Sequence, residues 1–294
     1  MEIRTTRRKT LKELTLKDNF MFGAVMSDEA ICKEFLEIVL KVPIRRVQIS
    51  KEKSIIYNPE YRGVRLDVFA SDEDNTRYNI EMQVARKPAL GRRSRYYGSQ
   101  IDMELLLSGE DYSQLPDVYV IFICDFDPFG LRKYCYTFEN CCLEKDALTL
   151  RDGRRSIFLS TMGENETEVS RELICFLKFI QKGALEVGTE DDFTKKLSDS
   201  ISSIKGNREM EERFMTIEEM IQDERAEAKS EGKIEGKIEE KTEGLLEILS
   251  SKGTIPSILK QKLLEEKDIT VLKDYFSLAI KSASIDEFME QMKK

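Results

Sequence analysis

Residues 63–85 read GVRLDVFASDEDNTRYNIEMQVA, and each of two alternating stretches there carries an acid near its middle, Asp67 and Glu81, with Gln83 two places further on. The alternation of YRGVRLDVFA and of RYNIEMQVA around the polar turn SDEDNT predicts a β-hairpin. Strand side chains alternate faces, so Val64, Leu66, Val68 and Ala70 are expected on one face and Arg65, Asp67 and Phe69 on the other. In the next strand Ile80, Met82 and Val84 share a face, and Asn79, Glu81 and Gln83 take the opposite one. The six-residue turn lets Asp67 and Glu81 lie across from each other. Two carboxylates so placed repel, and neither is comfortable beside apolar neighbours unless a cation sits between them. Oxygen-only ligation, with a backbone carbonyl near Met82 and waters, is what Mg²⁺ or Mn²⁺ prefers. The competing reading is a wet face: antiparallel pairs often solvate one side, and Arg65, Asp67, Asn79, Glu81 and Gln83 then form only that side, with Arg65 pairing an acid.

Upstream, DNFMFGAVMSDEAICKEFLEIVL spaces Phe20, Val25, Ile31, Phe35, Leu36 and Val39 as one or two amphipathic helices, and Pro43 ends the run. VQISKEKSIIYN alternates enough to be a strand. Downstream, Gly91 to Ser108 predicts a helix closed by Gly109, and DVYVIFICDF is a short, continuously apolar run of the kind that fills a buried central strand. The predicted order is helix, strand, strand, strand, helix, strand. YCYTFENCCLE and RRSIFLST read as further strands, and from Glu164 the chain reads as helical to its end.

Composition removes whole classes of chemistry. The 294 residues include no histidine, which excludes His-dependent triads, Cys/His pairs, HExxH zinc sites and imidazole proton shuttles. No GxxxxGK[ST] motif is present, and no GxGxxG opens a helix after a strand, so nucleotide-binding loops have no support. Cys32, Cys124, Cys135, Cys141, Cys142 and Cys175 lie in apolar or mixed segments without a CxxC pair; reduced, mostly buried thiols are expected over metal ligands. A basic N-terminus without an apolar stretch behind it, and no run near the ~18 residues of a membrane span, lead to the expectation of a cytoplasmic soluble protein. The net charge is −8, yet two stretches run against it. Residues 4–17 carry Arg4, Arg7, Arg8, Lys9, Lys12 and Lys17 against Glu13, and residues 86–95 carry Arg86, Lys87, Arg92, Arg93 and Arg95 against no acid. Placement of charge, more than its sum, decides whether a polyanion is attracted.

The last third has a different texture. ERAEAKSEGKIEGKIEEKTEG repeats with period four, so Glu231, Glu235, Glu239 and Glu243 form one stripe of a helix and Lys233, Lys237 and Lys241 another. Like charges at i,i+4 cost a few tenths of a kcal/mol each, and Gly232, Gly236 and Gly244 cost ~1 kcal/mol apiece against Ala. Either the repeat is a mobile, solvated connector, or a second chain pairs its stripes. The expected organisation is a domain over residues 1–215, a charged EGK-repeat helix or connector over 216–244, and a small helical tail over 245–294.

The order αβββαβ, with Asp in the second strand and Glu-x-Gln in the third, resembles the PD-(D/E)XK nuclease superfamily. LKDNFMFGAVMSD, RLDVFA, NIEMQ and RSRYYGSQIDMELLLSGEDYSQLPDVYVIFIC are similar to the Rpn group of recombination-promoting nucleases and transposase-like proteins, over roughly residues 14 to 160. The repeat and the helical tail are similar to what that group carries. The resemblance implies an α/β fold, with a restriction-endonuclease-like αβββαβ core, a mixed sheet and a helical C-terminal region. It implies a Mg²⁺-dependent (or Mn²⁺-dependent) DNA endonuclease that hydrolyses phosphodiester bonds, promoting recombination or linked to mobile elements. Asp67 and Glu81 then hold the metal, and Gln83 stands where the superfamily's usual Lys orients the attacking water. An amide takes no proton, so Gln83 is left to position water while the ion activates it. Asp18 matches an early acidic position and is either a further metal contact or the N-cap of a helix beginning at Asn19. Arg92, Arg93, Arg95 and Tyr96 are the DNA-contact candidates, their alternative being a solvated helix face with the tyrosines in the core. A homodimer through the C-terminal helical region is a further expectation. The alternative function is a catalytically weak protein keeping the fold as a DNA-binding or protein-interaction module.

Overall fold

The computed structural model describes residues 9–51, 54–55, 64–145, 147–188 and 190–292. Arg4, Arg7 and Arg8 of the basic leader therefore lie outside the described residues, as do residues 56–63 and the side chain of Arg65. The chain divides into two compact units, Met1–Phe214 and Met215–Lys294.

The first unit opens with α1 (Asn19–Met26) and α2 (Glu29–Leu40). The Asp28 side chain accepts from the Ala30 and Ile31 amides and starts α2; the helix stops at Leu40, where Lys41 turns left-handed (φ 57°) just before Pro43. The strands follow as β1 (Val47–Lys51), β2 (Ser54–Ile55), β3 (Val64–Arg65), β4 (Val68–Asp72) and β5 (Arg77–Gln83). After them come α3 (Leu90–Leu105), β6 (Val118–Cys124), β7 (Cys135–Phe138) and β8 (Arg154–Ser160), then α4 (Arg171–Lys182) and α5 (Asp192–Gly206). A six-stranded sheet has the order β1-β4-β5-β6-β8-β7. It is antiparallel across β1, β4 and β5, parallel across β5, β6 and β8, and antiparallel again at β7. This is the α/β architecture with a mixed sheet that the resemblance implies. The parallel step from β5 to β6 requires a crossover, and α3 is that crossover.

Both faces of the sheet are covered, which is why β6 is apolar at every position. On one face Val68, Ala70, Ile80, Met82, Ile121 and Ile123 pack in a large core with α1, α2, α4 and α5. On the other, Leu66, Phe69, Val120, Phe122 and Phe158 form a smaller core that takes Leu90, Tyr96, Tyr97 and Ile101 from α3. Phe122 and Phe158 stack there at 5.3 Å between ring centroids. Gly98 lets α3 settle against β8: a Cβ at that position would meet the Arg154 guanidinium at 2.9 Å, and the same guanidinium donates to the Ser94 carbonyl.

Three local expectations change. Leu66 lies in the core beneath α3 with Phe69, on the face opposite Val68 and Ala70. The predicted single strand is broken: Val64–Arg65 pairs with Ser54–Ile55, the chain bends at Asp67, and the bend resets the alternation. The turn between the acidic strands is also tighter than SDEDNT suggested. Ser71 and Asp72 extend β4, while the Asp72 carboxylate accepts from the Asp74 and Thr76 amides and Asn75 turns left-handed (φ 67°). Finally, α3 ends at Leu105, because Leu106 is already extended; Gly109 (φ 93°) serves the following turn and does not cap the helix.

The repeat is helical, inside the long α6 (Arg208–Ser250). In the second unit, Leu245 and Leu249 near the end of α6 pack with Leu259 and Leu263 of α7 (Ser257–Glu265), Leu272 and Ala279 of α8 (Ile269–Lys281), and Ile285 and Phe288 of α9 (Ile285–Gln291). No helix among the described residues is long and apolar enough to cross a membrane.

Candidate functional site

Three polar side chains of β5 point into the face covered by α3: Asn79, Glu81 and Gln83 are only 0%, 3% and 6% exposed. A solvated sheet face cannot account for such burial, so the wet-face reading fails for them. Burial of an acid at this depth demands compensation.

Part of that compensation is local. The ladder between β4 and β5 pairs Val68 with Ile80, and one step further it gives way to side chains. The Asp67 amide donates to Glu81 Oε1 at 3.3 Å, and the Met82 amide donates to Asp67 Oδ2 at 3.2 Å. Each carboxylate thus takes a backbone donor from the other's strand, and the bend at Asp67 brings the two acids together. Burial, followed by the charge of Asp67, raises the Glu81 carboxyl well above the usual carboxylate range.

The rest comes from α3. Arg93 reaches down to Gln83 Oε1 through Nη1 at 2.8 Å and to the Tyr97 hydroxyl through Nη2 at 2.8 Å, and Nη2 stands 3.7 Å from Glu81 Oε2. Its guanidinium lies over the rings of Tyr97 and Phe122, at 5.4 and 5.7 Å from their centroids. The Gln83 amide is held at its other end as well, donating from Nε2 to the Met82 carbonyl at 2.9 Å. That bond engages one lone pair of the carbonyl which the sequence had offered to a cation, and leaves a second N–H of the amide uncommitted to it.

The carboxyl end of β5 is anchored from the far side of the sheet. The Asp125 amide donates to the Gln83 carbonyl at 2.9 Å, and the Asp125 carboxylate takes Lys17 Nζ at 2.6 Å and the Thr161 hydroxyl at 3.1 Å. Cys124, in register with Gln83, is no alternative nucleophile, because burial pushes its thiol up to about 12.

Of the remaining candidates, Asp18 stands apart. It precedes α1 at the N-cap position but closes no capping bond with its side chain; its carboxylate is taken by Lys9 Nζ at 2.6 Å and by the Thr15 amide at 2.8 Å. Among the described residues no group of three or more acids or cysteines is placed to hold a metal ion, so Asp18 does not join the Asp67–Glu81 pair in a cluster. Arg92 and Arg95 are exposed on α3, Tyr96 is half-buried against the core beneath that helix, and Arg93 is turned into the carboxylate pair. Sequence reasoning set Asn79 on the acidic face without giving it a role, and did not name Tyr97, Lys17 or Asp125 as neighbours of the carboxylates. The signals for the first two were present: Asn79 lies two residues before Glu81 on one strand face, and Tyr97 lies four after Arg93 on one helix face.

A family model described as PD-(D/E)XK nuclease family transposase matches residues 19–241, a span that takes in Asp67, Glu81, Gln83 and all of α3 and begins just after Asp18. No curated protein and no solved structure matches the chain.

Proposed function

Because the chain belongs to the PD-(D/E)XK nuclease family transposases, we propose that it is a metal-dependent DNA endonuclease that hydrolyses phosphodiester bonds, making breaks of the kind that promote recombination or move genetic elements. The observation that carries this reading is the pair of half-buried Asp67 and buried Glu81, cross-bonded to each other's backbone. The donor set suits a hard divalent cation: two carboxylates that repel when ionised, beside an Arg93 guanidinium already shared with Gln83 and Tyr97. Asp67 and Glu81 would hold Mg²⁺ or Mn²⁺, which supplies, when bound, Lewis-acid polarisation of the scissile phosphate and activation of water.

The chain's own residues carry the other duties. Gln83, fixed by Arg93 and by the Met82 carbonyl, turns its remaining N–H to hold the oxygen of the attacking water. It serves where the superfamily's usual lysine stands, and as an amide it orients water without taking its proton. Arg93 balances Glu81 and offers the transition state a rigid cation at the site's edge, its plane fixed by the rings beneath it. Arg92 and Arg95 are exposed on the same helix and are suited to the flanking phosphates, contacts that position a duplex without reading its bases.

The test is plasmid cleavage by the purified full-length protein. Nicked or linear product is expected with Mg²⁺ or Mn²⁺, none with chelator or in Asp67→Ala, and a reduced rate in Gln83→Ala. Cleavage that survives Asp67→Ala would sink the site assignment; duplex binding without cleavage in any divalent metal would favour the binding-module reading instead.

A further inference from the structure

Asn79 is wholly buried, yet neither its Nδ2 nor its Oδ1 has a hydrogen-bond partner among the described residues. An unsatisfied buried polar atom costs folding free energy, so a side chain orphaned at both ends points to a demand other than packing. Its lateral neighbours offer nothing: Phe69 stands opposite on β4 and Val120 on β6. Along its own strand the next side chain on that face is Glu81, and the Asn79 amide lies close enough to favour the charged form of that carboxylate without closing a bond of normal geometry.

We infer that Asn79 is a positioning residue for the Glu81 carboxylate, its amide N–H closing onto Glu81 when that side chain turns to a divalent cation. The inference rests on the reading of Asp67 and Glu81 as a cation-binding pair. The geometry explains why an amide serves here. Glu81 Oε1 has the Asp67 amide as donor and Oε2 faces Arg93, both at long range, 3.3 and 3.7 Å. Neither contact fixes the torsion of the carboxylate. A third donor, rooted two residues back on the same strand, fixes the carboxylate plane without adding charge to a pocket that already holds two acids and a guanidinium. Groups that orient metal ligands in this manner typically contribute 10- to 100-fold in metal affinity.

Mn²⁺ binding to the full-length protein, measured by isothermal titration calorimetry beside the melting temperature of the metal-free protein, tests the assignment. Asn79→Leu keeps the size and removes both polar atoms, and Asn79→Ala removes them without any demand for space. Each is expected to bind Mn²⁺ at least about tenfold more weakly than wild type, while the metal-free melting temperature of Asn79→Leu stays level or rises. A role in packing alone predicts the reverse pattern, a lower melting temperature with Mn²⁺ affinity intact. Wild-type affinity in either folded variant overturns the inference. Glu81→Gln is the control that keeps it separate from the reading beneath: should wild type itself bind no Mn²⁺, the cation-binding pair fails, whereas tight binding by wild type that is lost in Glu81→Gln and kept in both Asn79 variants removes only Asn79.

Discussion

Replacing Glu81 by Gln should make the metal-free protein more stable while abolishing its use of metal. Glu81 is 3% exposed, and the influences on its ionised form include desolvation, the charge of Asp67 and the guanidinium of Arg93. Repulsion from Asp67, at the ~5 Å typical of opposed side chains on neighbouring strands, is about 3 kcal/mol at an effective dielectric constant near 20. Attraction to Arg93 Nη2 at 3.7 Å is of similar size, about 4 kcal/mol on the same scale. These nearly cancel, leaving the desolvation of a buried carboxylate, an effective penalty of several kcal/mol. Gln retains the shape and an oxygen to accept from the Asp67 amide, and gives up the attraction to Arg93. A net stabilisation of about 2 kcal/mol follows, or roughly 4–8 °C for a unit of this size. The sign with pH is fixed by the direction of the Glu81 shift. Its folded value lies above the ordinary 4.5, so the folded state keeps a proton that the unfolded state loses, and wild-type stability falls as pH rises through that interval. The gap in melting temperature between Glu81→Gln and wild type should be near zero at about pH 4.5 and widest on the alkaline side. Adding Mn²⁺ should raise wild type by mass action and leave the variant where it was. Differential scanning calorimetry across pH, with and without Mn²⁺, reads all of this. A variant that melts at or below wild type above neutral pH, or a gap that does not change with pH, refutes the reasoning.

Arg93→Ala removes the donor to Gln83 and the counter-charge to Glu81, so plasmid cleavage should fall about 100-fold with short-duplex affinity within about threefold; cleavage near the wild-type rate returns Arg93 to the role of a surface contact. The double variant Arg92→Ala, Arg95→Ala should do the opposite, weakening duplex binding alike for all sequences and lowering the slope of log affinity against log salt by about two. An unchanged slope removes that face of α3 from the contact surface. Gln83→Lys, though it restores the superfamily's usual residue, should cleave more slowly than wild type, because the new ammonium arrives where Arg93 Nη1 now sits 2.8 Å from the amide oxygen; a faster enzyme shows that Arg93 moves aside.

What was legible in the sequence was local and periodic. Ile80 and Met82 against Asn79, Glu81 and Gln83 is a two-residue period, and β5 keeps it without interruption. The same rule failed at Leu66, because one bent residue, Asp67, resets the phase and no sequence signal marks the bend. In RRSRYY the composition announced a basic helix, but which arginine faces the sheet depends on the phase of α3. Ser94, Gly98 and Ile101, small or apolar at helical spacing and all buried, carry that phase, and they turn Arg93 and Tyr97 inward while Arg92 and Arg95 stay outside. Asp18 was a candidate because it matches an early acidic position of the resembled group; its partners, Lys9 and Thr15, are near it in sequence, yet only the fold of the leader shows them bonded. For the repeat, propensity and like-charge spacing argued for a poor helix, and it is nonetheless helical within α6, whose last turns are buried by the leucines that follow.

On the proposed reading, the glutamine at position 83 and the arginine at position 93 are one feature. A site that gathers two acids needs a positive charge that survives without metal, and a lysine on the strand is the superfamily's usual source. Here the charge comes from the crossover helix, on a guanidinium whose plane is set by Tyr97 and Phe122. With that cation in place, a second one on β5 is redundant, and a neutral side chain with a donor and an acceptor becomes the better occupant. Gln83 uses the acceptor to hold Arg93 and one N–H to hold the Met82 carbonyl, so the amide is oriented before any substrate arrives. The helix that completes the parallel crossover thereby also completes the site, and the span from β5 through α3 to β6 is the least part of the chain that holds the carboxylate of Glu81, its counter-charge and the oriented amide together.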